Sequence, residues 1–325
     1  MYQFRINQNE AGQRFDKYLH KLLPKAPSSF VYKMLRKKNI VLNGKKAEGK
    51  EKLSEGDEVK LFVSEETFQG FAGRKNEISV YLEACEKLKG IEIIFENKHM
   101  LLLDKPMGIL TQKAKDSDIS VNEWLIGYLL TQGKITEESL ATYRPSVCNR
   151  LDRNTGGLVI CGRTLAGSQE LNRLIKERIV RKFYRLFVKG RLDFEVTIDG
   201  YLTKDSLSNQ VTVSSAASEG ASYIRTRYYP VKILSDITYL EVELITGKPH
   251  QIRAHMASIG HPVLGDGKYG DYNFNHKYKE KYGINSQMLH AYRLEFPANE
   301  LLFAGEAASF TAKEPEVFDR ILGRN

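Results

Sequence analysis

The stretch NRLDRNTGGLVICG, residues 149–162, joins a charged cluster to an apolar run. A carboxylate, Asp152, stands between Arg150 and Arg153, and the apolar letters LVIC follow at 158–161. A short continuous apolar run bounded by turn residues is typical of a buried strand. The stretch therefore predicts a core strand with three charged side chains close to where it begins.

The order of side chains in residues 149–153 predicts which of them reach solvent. If this segment is extended, Arg150 and Asp152 lie on one face and Leu151 faces the core. The neighbouring guanidinium favours the ionised carboxylate, which suits a nucleophile or an electrostatic stabiliser better than a general acid. A salt bridge at the end of a strand explains the same pattern, and for this stretch alone it is the more common interpretation.

Apolar periodicity in the rest of the chain predicts the fold class. Strands are predicted at residues 91–95, 100–103, 158–161, 183–188, 223–233 and 239–244, and helices at 121–130 and 165–179. Runs of strands that do not alternate regularly with helices favour an α+β fold with a mixed, largely antiparallel sheet over a doubly wound one. We expect such a domain over residues 91–325, preceded by a linker at 64–90.

Basic residues are concentrated at the start of the chain. The 325 residues carry a net charge of +9, and residues 1–63 hold 14 Lys and Arg against 7 Asp and Glu. Most of the positive excess therefore lies in the first fifth of the chain, which predicts a separate basic module. Nucleic acid is its natural partner, because each Lys or Arg bound to a phosphate releases condensed counterions.

The pattern within residues 1–63 predicts two short helices, a hairpin and a strand. Apolar residues recur at helical spacing on both sides of a break at Pro24 and Pro27, and Asn43-Gly44 is a strong hairpin signal. This order resembles the small RNA-binding module first described in the small-subunit ribosomal protein S-four. The resemblance implies a small α/β RNA-binding domain with five basic residues on its RNA-facing surface: Arg36, Lys37, Lys38, Lys45 and Lys46.

Cysteine and histidine spacing argues against disulfide and metal sites. The three cysteines form no CxxC pair, so neither a disulfide framework nor a zinc site is indicated, and a reducing cytoplasm fits best. His250 and His255 are five residues apart, whereas two zinc ligands on one helical face are four apart. No apolar run approaches the ~18 residues of a membrane span. We therefore expect a cytoplasmic protein with no metal and no membrane partner.

Four motifs resemble those of one enzyme family, in the family's order. NRLDRNTGG resembles the HRLDRxTSG signature of the RluA-type pseudouridine synthases, and RKFYRLFVKG at 181–190 resembles their following Lys-x-Tyr strand. LITGKPHQIRAHMASIGHPVLGDGKYG at 244–270 resembles a third signature, and LLLDKPMGIL at 101–110 resembles the first, an Asn-Lys-Pro-x-Gly segment. With the basic module, this plan is similar to the RluC and RluD branch of the family, which modifies large-subunit ribosomal RNA.

The resemblance implies a role for each matching side chain. Asp152 corresponds to the catalytic aspartate, which acts on a uridine while the N-glycosidic bond breaks, the base turns and a carbon–carbon bond to C5 forms. Tyr184 corresponds to the tyrosine that packs on the uracil ring and is a candidate for removing the C5 proton. Arg253 corresponds to the arginine that pairs with the aspartate in a bidentate manner. Arg150 enters the RNA stack as the uridine flips out, and Arg153 positions phosphates.

Structured RNA, above all ribosomal RNA, is the partner that the resemblance implies, and no cofactor, metal or obligate protein partner is expected. Four positions depart from the family pattern: Asn149 for His, Gly156 for Ser, Asp104 for Asn and Lys248 for Arg. None of them removes a group that the chemistry needs. Asn149 and Lys248 bear on which uridine is modified more than on activity.

Two other classes of protein stay open. A non-catalytic RNA-binding or ribosome-assembly factor would keep the fold, but the presence of Asp152, Tyr184 and Arg253 together argues against it. A glycosidase acting on a nucleoside needs a second carboxyl group to protonate its leaving group, and Asp266 is the candidate. A Gly-Asp-Gly turn explains Asp266 without catalysis.

Overall fold

Two hydrogen-bonded sheets organise the chain in its computed structural model, which describes residues 1–7, 9–72, 77–205 and 210–324. The first sheet belongs to the N-terminal module. The elements of this module are β1 (Tyr2–Arg5), α1 (Phe15–Leu22), α2 (Ser28–Arg36), β2 (Ile40–Leu42), β3 (Lys45–Lys46) and β4 (Glu58–Leu61). Its strands lie in the order β1-β4-β2-β3, so the two helices are followed by the hairpin and strand that the sequence predicts.

The two module helices pack their apolar faces into one core. Phe15 and Leu19 of α1 and Val31 of α2 are almost fully buried there. The β2–β3 hairpin turns at Asn43 and Gly44, whose φ angles are 49° and 70°. Positive φ at both central residues is the requirement of the two-residue turn that Asn-Gly favours.

The segment predicted as a linker carries two helices among its described residues: α3 (Glu65–Phe71) and α4 (Glu77–Lys87). Ser64 caps α3 by accepting a hydrogen bond from the Thr67 amide. Helix α4 lies against the next helix of the chain, where a Cβ at Gly127 would collide with the Tyr81 carbonyl oxygen. Its Ala84 is buried in the main core of the second domain. The linker residues 73–76 lie outside the described residues.

The second sheet and its helices form the rest of the chain. The strands are β5 (Glu92–Glu96), β6 (Met100–Lys105), β7 (Ser146–Val147), β8 (Gly156–Gly162), β9 (Arg181–Lys189), β10 (Val196–Lys204), β11 (Val211–Ser214), β12 (Ser222–Ile233), β13 (Ile237–Leu244), β14 (Leu289–Phe296) and β15 (Ala308–Thr311). The helices are α5 (Val121–Thr131), α6 (Glu137–Leu140), α7 (Leu165–Lys176), α8 (Gln251–Ser258), α9 (Tyr272–Tyr282), α10 (Glu300–Phe303) and α11 (Glu316–Leu322).

The second sheet confirms the predicted α+β class. Its strands lie in the order β11-β10-β12-β13-β9-β14-β8-β6-β5, with β7 paired to β8 and β15 to β14. The pair β14 and β8 is parallel, and the other neighbouring pairs of the described residues are antiparallel. The sheet is therefore mixed and largely antiparallel, as the sequence predicts.

Strand β8 is buried along its whole length because both of its faces are covered. Val159 and Cys161 face the core that contains α5, and Leu158 and Ile160 face the core that contains α7. A strand covered on both faces has a continuous apolar sequence rather than an alternating one. This is the physical reason for the LVIC run.

Three features differ from the sequence prediction. The helix predicted at 165–179 ends at Lys176, and Arg178 adopts a positive φ of 60°. Residues 149–153 form a loop between β7 and β8 rather than an extended segment, although the exposed Arg150 and buried Leu151 keep the predicted inside–outside order. The sequence analysis also missed β10 and β14, of which β14 joins the two halves of the sheet.

Within the described ranges, no helix combines the length and the apolar character that a membrane crossing requires.

Candidate active site

A cavity of about 830 Å³ opens between the loop before β8 and the segment that leads into α8. Its volume lies in the range of about 300–1,000 Å³ typical of ligand sites. It is lined by all five residues that the sequence analysis singled out in the second domain: Arg150, Asp152, Arg153, Tyr184 and Arg253. Tertiary structure brings these residues together from three separate parts of the chain.

The loop that carries Asp152 is held from behind by a buried lysine. Lys105 is fully buried, and its Nζ donates hydrogen bonds to the carbonyl oxygens of Pro106 (3.1 Å), Ile109 (2.9 Å) and Arg153 (3.1 Å). Three acceptors match the three N–H groups of an ammonium. Burial lowers the pKa of Lys105 to about 8, partly offset by the negative charges of Asp152 and Asp104.

Two short side chains tie the same loop to its neighbours. The Thr111 hydroxyl accepts from the Leu151 amide (3.1 Å) and donates to the Leu151 carbonyl (2.8 Å). Asn149 accepts from the Ile160 amide (2.7 Å) and donates to the Leu158 carbonyl (3.3 Å). Asn149, a departure from the family pattern, therefore anchors the loop to β8.

Asp152 is held by an arginine whose other contacts are to a second aspartate. Arg253 Nη1 donates to Asp152 Oδ2 at 2.7 Å, whereas Nε and Nη2 bind the two Asp266 oxygens at 2.7 and 2.9 Å. The expectation of a bidentate Asp152–Arg253 pair is wrong in this respect. The two parallel bonds go to Asp266, because Asp266 faces the Nε side of the guanidinium and leaves only Nη1 for Asp152.

Asp266 is the residue whose role the sequence analysis missed. It is fully buried, and it also accepts from the amides of Lys268 (2.8 Å) and Tyr269 (3.1 Å), so the turn and the ion pair share one carboxylate. Burial alone would raise the pKa of Asp266, but the hydrogen bonds and charge of Arg253 outweigh it and lower that pKa. Burial likewise opposes the charge on Arg253, and the hydrogen bonds to Asp266 raise its pKa overall. The pair is ionised, and it orients Arg253 toward Asp152.

Tyr184 lies on β9 and forms a wall of the cavity. It is 7% exposed, and its strand lies between β13 and β14 in the sheet. Burial, and then the charge of Asp152, raise the pKa of the Tyr184 hydroxyl. The hydroxyl therefore stays protonated at neutral pH, and the ring is fixed in the wall of the cavity.

The chain is similar to known proteins over most of its length. A model of the family described as RNA pseudouridylate synthase matches residues 99–258, which include Asp152, Tyr184 and Arg253. The relative named ribosomal large subunit pseudouridine synthase C from Vibrio cholerae is 29% identical over 300 residues, which are 91% of this chain and 89% of the relative. The protein of the same name from Escherichia coli is 29% identical over 294 residues, or 90% of this chain and 87% of the relative.

The chain belongs to the RNA pseudouridine synthase family. The fold of this synthase is shared with two human proteins of solved structure. Human RNA pseudouridylate synthase domain containing 4 has 21% identity and a TM-score of 0.59, over 76% of this chain and 96% of that one. Human RNA pseudouridylate synthase domain containing 1 has 19% identity and a TM-score of 0.52, over 74% of this chain and 97% of that one.

The cations that the sequence predicts to bind RNA fall into two groups. Arg150 and Arg153 are exposed at the mouth of the cavity, which Lys182, Lys204, Lys248 and Lys268 also line. The five predicted basic residues of the N-terminal module are exposed at the end of α2 and in β3, and they do not line this cavity. In the part of the chain that the structure describes, no cluster of three or more His, Cys, Asp or Glu side chains is arranged to hold a metal ion.

Proposed function

We propose that this synthase converts uridine to pseudouridine in structured RNA, namely large-subunit ribosomal RNA, with Asp152 as the catalytic carboxylate. One observation carries the proposal: among the described residues that line the cavity, Asp152 is the only carboxylate, and six Lys and Arg side chains besides Arg253 surround it. A site with one anion among many cations suits a polyanionic substrate and a reaction that needs a single carboxylate. The relatives named for large-subunit ribosomal RNA support that substrate.

The reaction is balanced without a redox partner. The bond from N1 to C1′ breaks, the uracil turns, and C5 bonds to C1′; C5 then loses one proton and N1 gains one. Asp152, held by Arg253, acts on the ribose or the base during this exchange. We assign the Tyr184 ring to supporting the uracil while it turns. Its hydroxyl has a raised pKa, so it must lose its own proton before it can accept the proton from C5.

Substrate access requires the uridine to leave its stack. The glycosidic bond and C5 cannot both be reached inside a helix, so the nucleotide must flip into the cavity. Arg150 and Arg153, exposed at the mouth, are the residues that we assign to the vacated stack and to the flanking phosphates.

The glycosidase alternative lacks its second carboxyl group. Asp266 has no exposed surface and is bound by Arg253 and two backbone amides, so it cannot reach a leaving group. Its lowered pKa also makes it a poor proton donor. Asp266 is therefore a positioning residue.

We assign RNA affinity in part to the N-terminal module, residues 1–63, with a connecting segment at 64–90 and the catalytic domain at 91–325. The exposure of Arg36, Lys37, Lys38, Lys45 and Lys46, here called the module cations, supports this assignment. A buried hydrogen bond from the Thr142 hydroxyl to Glu10 (2.7 Å) joins the module to the catalytic domain. Because ribosomal RNA is found in the cytoplasm, we place the protein there.

The Asp152→Asn variant tests the proposal. We expect pseudouridine formation on ribosomal RNA, detected by chemical derivatisation and mapping, to be lost while RNA affinity changes little, because Asn keeps the shape and removes the anion. Asp193→Asn is the matched control, since Asp193 pairs with Arg191 on the surface and does not line the cavity. Substantial turnover by Asp152→Asn would refute the role of Asp152. A wild-type protein that modifies no RNA would refute the function.

A further inference from the structure

His250 lies beside Asp152 in a left-handed backbone conformation. It is the residue before α8, and its φ and ψ are 55° and 14°, in the left-handed region. Non-glycine residues seldom adopt this conformation, and such backbone strain is often found at functional sites. The side chain lines the cavity and is 21% exposed. The imidazole of His250 therefore forms part of the wall of the cavity.

The contact with Tyr269 favours one tautomer of His250. The Tyr269 oxygen accepts a hydrogen bond from the Val211 amide at 3.1 Å, and it lies 2.8 Å from His250 Nδ1. An amide can only donate, so the Tyr269 hydroxyl is free to donate its own proton to Nδ1. His250 Nδ1 is then an acceptor, and the neutral ring carries its proton on Nε2. This tautomer is assigned from the hydrogen-bond network.

Burial keeps the ring of His250 neutral. Burial lowers the pKa of His250 first, and the positive charges of Arg253 and Lys268 lower it further. The negative charges of Asp152 and Asp266 act in the opposite direction but do not outweigh them. At neutral pH the ring is therefore an oriented N–H donor.

A gap between His250 and Asp152 has the dimensions of one bridging oxygen. His250 Nε2 and Asp152 Oδ1 are 3.9 Å apart, which is too long for a direct hydrogen bond. Asp152 Oδ2 is bound by Arg253, whereas Oδ1 accepts no side-chain hydrogen bond from the described residues. An oxygen about 2.8 Å from both atoms would see them at an angle of about 90°, which one hydroxyl can satisfy. That group must accept from Nε2–H and donate to the carboxylate.

We propose that His250 and Asp152 together bind the ribose 2′-hydroxyl of the target uridine, and that His250 thereby makes the enzyme selective for RNA over DNA. This rests on the proposed function. In an internal nucleotide the 3′ and 5′ oxygens are esterified, and the uracil carbonyls only accept. The 2′-hydroxyl is therefore the one group that both donates and accepts, and it is attached next to C1′, where the bonds exchange. The 2′-hydroxyl is also the group by which proteins distinguish RNA from DNA.

The test compares two substrates in five enzymes: the wild type and four variants. An RNA fragment that contains the uridine modified by the wild type is prepared with uridine or 2′-deoxyuridine at that position, and single-turnover rates are measured at saturating RNA. His250→Asn keeps a residue that tolerates left-handed φ but removes the group at Nε2, whereas His250→Gln retains an amide donor near that place. His261→Asn is the matched control, because His261 binds the Lys189 carbonyl away from the cavity.

We expect His250→Asn to lose about tenfold in rate on uridine, the effect of one hydrogen bond, and little on 2′-deoxyuridine. The intrinsic effect of the 2′ substituent on the glycosidic bond is the same in every enzyme. Each variant's ratio of the rates on uridine and 2′-deoxyuridine, divided by the wild-type ratio, therefore measures the contact with the 2′-hydroxyl. His250→Gln should recover most of the discrimination, and His261→Asn should match the wild type. Tyr269→Phe removes the hydroxyl that donates to His250 Nδ1, so the ring can carry its proton on either nitrogen. This variant should also discriminate less between uridine and 2′-deoxyuridine.

Equal losses by His250→Asn on both substrates would overturn the proposal, because a merely structural role lowers both rates alike. Discrimination that is equally absent in the Asn and Gln variants would overturn it as well. A wild type that modifies uridine but shows no preference over 2′-deoxyuridine would refute this inference and leave the proposed function standing. If the wild type modifies no uridine, the proposed function itself fails.

Discussion

The Asp266→Asn variant tests whether Asp266 holds the catalytic carboxylate in position. It leaves Asp152 in the protein and alters only the carboxylate that orients Arg253. Asp266 is fully buried, and its oxygens accept Nε and Nη2 of Arg253 at 2.7 and 2.9 Å. Asn keeps the shape of the side chain, but it removes the charge and replaces one acceptor with an N–H donor. Arg253 then loses at least one charged hydrogen bond, while Asp152 itself is unchanged.

The expected magnitudes follow from the burial of the pair. Removing one partner of a buried ion pair costs about 3–5 kcal/mol, and we expect the free energy of unfolding to fall by that amount. A hydrogen bond between charged groups contributes about 1.5–3 kcal/mol. If that contribution is lost in the transition state because Arg253 no longer holds Asp152 in place, the single-turnover rate falls by about 10- to 200-fold.

The assay combines single turnover at saturating RNA with denaturant unfolding. Rates are measured well below the unfolding transition of the variant, so that the folded population is the same in each sample. Asp271→Asn is the matched control: Asp271 caps α9 and pairs with Lys189 on the surface. Asn keeps the capping oxygen, so this change should lower the free energy of unfolding by less than about 1 kcal/mol and leave turnover at the wild-type level. Wild-type turnover by Asp266→Asn would refute the idea that Asp266 orients Asp152 through Arg253.

Three further predictions follow from the structure. Tyr184→Phe should fold and bind RNA but turn over slowly if the hydroxyl moves a proton, whereas a wild-type single-turnover rate would leave only the ring with a role. Lys105→Met should lower the free energy of unfolding by about 2–4 kcal/mol, because three carbonyl oxygens lose their donor. The pKa of Lys105 is lowered to about 8 in the folded state, so above that pH the unfolded wild type binds more protons than the folded one. The free energy of unfolding of the wild type should therefore rise from about pH 8 to 10, and its difference from that of the variant should widen. Changing the five module cations to Gln should weaken RNA binding and flatten the slope of log affinity against log salt by about 0.7–0.9 per lost phosphate contact, with turnover at saturating RNA unchanged; an unchanged slope would show that the module does not contact phosphates.

Local pattern predicts the elements well where one physical signal dominates. The continuous apolar run before Gly162 predicts a buried strand, which is present as β8, and the helix predicted at 121–130 is present as α5. Strand β10 was missed because its burial alternates weakly and its sequence carries polar and glycine residues. Helix α4 was missed because its apolar pattern is weak, and its packing depends on the glycine of a different helix.

The sequence by itself determined the fold class, the concentration of basic charge in the first 63 residues, and five of the residues that line the cavity. Only the tertiary structure decided how these residues are connected. Asp152 and Arg253 are 101 residues apart, and the sheet order that places β9 between β13 and β14 brings their loops together. Spacing along the chain cannot show that the guanidinium directs two of its bonds to Asp266 and one to Asp152, or that Tyr269 orients His250. These contacts depend on which loops lie next to one another in the folded chain. The pairing of strands that are distant in sequence determines this.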